Sequence, residues 1–84
     1  MRFIVKVLAE QIKESFETWN DERDNAETYG YNARSEYHTL LKGTLITNYG
    51  MISAMYTNNV ITFNEFKLLD RYNDRIKALY RKGV

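Results

Sequence analysis

Val60-Ile61-Thr62-Phe63-Asn64-Glu65-Phe66-Lys67-Leu68-Leu69 is the stretch that decides the fold. Thr62 stands three residues before Glu65, the spacing of a capping box. The threonine hydroxyl accepts from the N–H of Glu65, and the glutamate side chain accepts from the N–H of Thr62. Ile61 before the cap and Phe66 at the fourth helical position are placed for a hydrophobic staple. A helix therefore starts here and runs to Tyr80. Phe66, Leu69, Tyr72, Ile76, Leu79 and Tyr80 take one face, and Lys67, Arg71, Arg75 and Lys82 take the other. Arg81 to Val84 reads as a frayed tail.

Upstream, Thr57-Asn58-Asn59-Val60 is a short polar loop, which makes the helices on either side an antiparallel hairpin. The helix before it is read from Ala33 to about Thr57, with Asn32 as its N-cap. At 100° per residue Tyr37, Leu41, Leu45, Asn48, Ile52, Met55 and Tyr56 share a face. Gly43, Thr47, Gly50 and Ala54 form a small-residue seam nearly opposite. That pattern suggests a central helix buried on both sides, with Gly43 or Gly50 as a possible break, since each glycine costs about 1 kcal/mol relative to alanine. The first segment runs from Phe3 to Tyr29 on the stripe Val5, Leu8, Ile12, Phe16 and Trp19. From Asn20 to Thr28 it is polar except for Ala26, as in a stretch that frays or projects. Tyr29-Gly30-Tyr31-Asn32 is a helix stop, with Gly30 suited to a left-handed C′ position.

These readings give an all-α fold: a single domain over residues 1–84, a small bundle of two to three main helices. Helices two and three form the hairpin, and helix one packs across them. The alternative is α+β, with short strands near 3–7 and 44–47, where β-branched residues cluster.

The chain has 84 residues, a net charge of +1, no cysteine and no proline. Missing cysteine removes disulfides, thiol catalysis and thiolate metal sites; missing proline suits long helices. Nothing reads as a leader, because Lys6 and Glu10 interrupt the opening apolar run, and no run approaches a membrane span. A soluble, cytoplasmic protein is expected. Charge is split: seven acids face two bases from Glu10 to Glu27, net −5, and six bases face two acids from Lys67 to Val84, net +4. The ordinary reading is that the first and last helices pair within the molecule; the sharper one is two surfaces for two partners.

No residue set announces chemistry. His38 is the sole histidine; it could pair with Glu36 or Asp21, but reads as a packing residue. Ser15, Ser35 and Ser53 lie in no elbow motif, and Gly30, Gly43, Gly50 and Gly83 form no phosphate loop. Asn58-Asn59 lacks the acidic ligands of a calcium loop. Asp70 and Asp74 read as helix-surface partners of Lys67 and Arg71 rather than metal ligands. No cofactor, no metal and no catalytic residue is expected.

Seven tyrosines are the compositional oddity. Tyr37, Tyr56, Tyr72 and Tyr80 fit core or half-buried stripes, whereas Tyr29, Tyr31 and Tyr49 have no core role and suit an interface. The expected function is a non-enzymatic protein–protein interaction module and a homo-oligomer. One form would be a phage or mobile-element protein that inhibits or regulates a host protein by binding it. Contact residues would be Tyr29, Tyr31, Arg34, Tyr49, Lys67, Arg71 and Arg75. One alternative is nucleic-acid binding by the basic face of the last helix. Another is a homo-oligomer holding a small anionic ligand such as a nucleotide.

Overall fold

Three helices in sequence account for the chain: α1 (Phe3–Tyr29), α2 (Tyr31–Thr57) and α3 (Phe63–Lys82). They come from a computed structural model that describes residues 1–82. Gly83 and Val84, and with them part of the expected frayed tail, lie outside the described residues; Arg81 and Lys82 belong to α3. Each helix packs on the other two. Residues 3–7 and 44–47 are helical, so the strand alternative is not what forms.

Apolar periodicity explains the packing. Val5, Leu8 and Ile12 of α1, Leu41 and Ile52 of α2, and Leu69, Ile76 and Leu79 of α3 are buried together, with Ile61 closing the hairpin end. Fully burying each such side chain is worth about 1.5–3 kcal/mol. Phe16, Trp19 and Ala26 pack at the margin of this core. The polar stretch after Trp19 therefore stays helical through Tyr29 because α2 and α3 cover one side of it. Tyr37 fixes this, donating from its hydroxyl to the Trp19 carbonyl at 2.6 Å while its ring meets the indole edge-on. Burial pushes the Tyr37 phenol up from its ordinary pKa.

The molecule measures 43 × 19 × 14 Å, and its radius of gyration of 14.0 Å exceeds the ~12 Å of a globule of this length. No helix is long and apolar enough to cross a membrane among the described residues.

Several local expectations change. Asn32 is not a cap: α2 already begins at Tyr31, with no side-chain cap bond. Gly30 alone joins two 27-residue helices, at φ 95° and ψ −164°. That is not the left-handed helical well but a region essentially reserved for glycine, and it lets one helix stop and the next start in a single residue. Neither Gly43 nor Gly50 breaks α2. Their seam is not buried either: Gly43, Thr47, Gly50 and Ala54 are exposed, and a Cβ at either glycine would meet nothing within 4 Å. α2 is thus buried on its large-residue face only, because three helices leave each one an open side.

One polar contact crosses the core. Asn48 donates its Nδ2 to Asn73 Oδ1 at 3.2 Å, with Asn73 only 1% exposed. The Asn73 Nδ2 finds no acceptor among the described residues. A polar pair at one level of an apolar interface favours the register that joins the two amides.

Candidate functional site

The capping box forms as its spacing requires: the Thr62 N–H donates to Glu65 Oε1 at 2.8 Å, and the Glu65 N–H donates to Thr62 Oγ1 at 3.1 Å. A third group joins it. Arg2 donates its Nε to Glu65 Oε2 at 2.8 Å, pairs with Oε1, and donates Nη2 to the Val60 carbonyl at 2.8 Å. The start of α1 is thereby clasped to the start of α3. The Arg2 bonds, then the Thr62 N–H, hold the Glu65 carboxyl well below its ordinary range, at about 2. Glu65 is fully committed to this structural role, and α1 and α3 run parallel from the clasp.

Beside the clasp stands a connected group of aromatic rings. Tyr49 meets Phe66 edge-on at 5.8 Å, and Tyr56 lies 5.6 Å from Phe66 and 5.7 Å from Phe63. Phe63 and Phe66 are 6.4 Å apart. Lys67 Nζ sits 5.5 Å from the centroid of the Phe63 ring. Tyr49 is 51% exposed, Tyr56 43% and Phe63 49%, with Val60 next to them at 40%. Three of the four pairs are edge-on, the arrangement aromatic quadrupoles prefer. The chain supplies no Asp, Glu, Lys or Arg between Lys42 and Glu65, so the charges beside this group come from the Arg2–Glu65 clasp and from Lys67.

The expected contact residues fall in separate places. Tyr29 and Tyr31 flank Gly30 and are exposed at 80% and 70%. Tyr31 and Arg34 line a hollow of about 210 Å³ with Ser35 and His38. Arg34 also borders a cavity of about 340 Å³ where one cation arrives from each helix: Arg23, Arg34 and Lys82, opposed by Asp24 and Glu27. Tyr49 and Lys67 belong to the aromatic group at the opposite end. Lys67 and Arg71 share a shallow hollow with Asn64 and Leu68. Arg75 lies 5.8 Å from the centroid of the Phe16 ring on α1. The seven residues therefore do not make one surface: Tyr29, Tyr31 and Arg34 stand at one end, Tyr49 and Lys67 toward the other, and Arg71 and Arg75 along α3 between them.

The remaining polar expectations resolve as follows. His38 stacks on Tyr80 at 4.1 Å and 12°, with Nε2 3.1 Å from the Tyr80 carbonyl oxygen, so it is a packing residue. Asp70 and Asp74 do not pair with Lys67 and Arg71. Both meet Lys77, at 3.7 and 3.5 Å, because they lie with it on the flank of α3 away from Arg71. Nor does the acidic run of α1 pair with the bases of α3. Among the described residues the ion pair that joins α1 to α3 is Arg2–Glu65, with the charges reversed.

Tyr56, Phe63 and Phe66 were not separable from core aromatics by periodicity. The signal that marks them is the charge-free run from Gly43 to Asn64, combined with aromatic spacing on both sides of a tight loop. No protein-family model, curated protein or solved structure matches this chain.

Proposed function

We propose that this protein is a non-enzymatic protein-interaction module that presents the hairpin end of the bundle to another polypeptide. The observation that carries this reading is the half-exposed group of Tyr49, Tyr56 and Phe63 packed around Phe66, with Lys67 over one ring. Rigid aromatic rings with two phenol hydroxyls at their edge are the chemistry of protein interface anchors. They bury much area at small entropic cost because each ring turns about only two χ angles. Inhibition of a host protein by a phage or mobile-element product is a narrower version that rests on composition alone.

The test is retention of proteins from the source cell on immobilised wild type and on a Tyr56→Ser/Phe63→Ser variant of unchanged circular dichroism. A polypeptide held by the wild type and lost by the variant is the expected result. Identical retention by both places the contact elsewhere.

A second reading, nucleic-acid binding by α3, is favoured by one observation. Lys67 and Arg71 are exposed and pair with no carboxylate among the described residues. Binding of a labelled oligonucleotide that falls steeply with salt would support it; none at low salt would remove it.

A further inference from the structure

The split charge of this chain is not used up inside the molecule. At 100° per residue Glu10, Glu14, Glu17 and Asp21 lie diametrically opposite Val5, Leu8 and Ile12, and all four are exposed. Lys67 and Arg71 lie opposite Leu69 and Ile76 on α3, and both are exposed, whereas Lys82 borders the cavity it shares with Asp24 and Glu27 of α1. Each stripe points away from the core, so neither can reach the other across the bundle. Of these side chains, Glu10 alone is in an ion pair among the described residues, with Lys13 at 4.0 Å on its own helix.

The two faces share a one-turn spacing as well as opposite sign. The acids recur at +4, +3 and +4, and Lys67 and Arg71 at +4. The acidic stripe is about 16 Å long, and Lys67 and Arg71 together span about 6 Å at 1.5 Å per residue. Apolar side chains accompany both: Phe3 and Val7 share a shallow hollow with Glu10 and Glu14, where Lys6 is the one cation, and Leu68 shares one with Lys67 and Arg71. The levels agree too. Arg2 meets Glu65 and Phe16 meets Arg75, so Glu10 stands at about the height of Arg71 along the bundle.

From this complementarity we infer that a second copy of this chain is the partner, its basic α3 stripe docking on the acidic α1 stripe of the first. A two-fold axis along the helices lets α1 of each copy face α3 of the other, so both contacts form in one closed pair. Exposed charge pairs are individually weak and screened. The complex is therefore low in affinity and strongly salt-dependent. It shares only Lys67 with the aromatic hairpin end and stands independently of that reading.

Charge reversal tests it by sedimentation equilibrium. One variant is Lys67→Glu/Arg71→Glu and the other Glu10→Lys/Glu14→Lys, each with its fold checked by circular dichroism. Wild type is expected to show a two-copy mass at about 20 mM salt and a one-copy mass at about 500 mM. Each variant alone stays single at low salt, and an equimolar mixture of the two regains the two-copy mass, because each then presents the sign the other lacks. A Phe63→Ala control associates like the wild type. A single-copy wild type at low salt, association by either variant alone, or a mixture that fails to pair overturns the proposal. Association lost only in Ile46→Glu would overturn it too, moving the contact to the exposed outer face of α2.

Discussion

The two ends of the bundle are built in opposite ways. At the hairpin end, Thr62 and Glu65 satisfy each other's backbone, Arg2 ties α1 to the same carboxylate, and Asn59 takes φ 61° to close the loop. At the other end one glycine separates two helices, no side chain caps either of them, and the flanking tyrosines are exposed. The first end is specified by hydrogen bonds from several side chains. The second is specified by what a single backbone position can adopt. An end held by many weak bonds loses them one at a time, whereas an end held by one conformation is broken in one step.

Substitutions can sharpen that contrast. The largest effect is expected from Gly30→Val, which puts a β-branched residue where only glycine is at ease. A loss of about 1–3 kcal/mol in urea unfolding is the outcome to look for. A loss below that range would mean that the α1–α2 junction relaxes to another backbone conformation. At the hairpin end Thr62→Ala removes one half of the capping box, for about 1 kcal/mol. The same unfolding curve measures it.

Acid should act on the hairpin end more gently, through Glu65. Its pKa is lowered from 4.5 to about 2 in the folded protein. Its stabilising contribution is therefore complete above pH 4.5 and fades as pH falls from there toward 2. Thermal melts of wild type should lose more stability over this window than melts of Glu65→Gln, which has no carboxylate to protonate. Equal acid slopes would show that the clasp adds nothing. Smallest of all is Tyr29→Ser/Tyr31→Ser, two exposed side chains whose joint loss should shift stability by no more than about 0.5 kcal/mol per site. A larger loss would reveal packing by these rings across the Gly30 junction.

The same contrast explains how much was legible in the residues. The start of α3 was readable because a capping box is a local code: donor, acceptor and spacing lie within four residues. The inward stripes of α1, α2 and α3 were readable because burial follows a 3.6-residue period. The α2 start was misread, since Asn32 looks like a cap and the chain turns instead on Gly30. The small seam on α2 was misread for a different reason. Small residues permit close approach, but only the number of neighbouring helices determines whether anything approaches. Asp70 and Asp74 had cations at good helical spacing on both sides, and side-chain direction rather than spacing chose Lys77.

The sequence by itself determined an all-α bundle of two to three helices, their large apolar inward stripes, the antiparallel hairpin and the segregation of charge, because each depends on residues within a few turns of one another. The tertiary structure alone decided that Arg2 reaches Glu65, sixty-three residues away, and that Asn48 meets Asn73 in the core. It also decided that Tyr49, Tyr56, Phe63 and Phe66 gather at one end while Tyr29, Tyr31 and Arg34 stand at the other. The acids of α1 and the bases of α3 do not cancel for the same reason. Packing direction is a property of the whole bundle, and it turned both stripes outward.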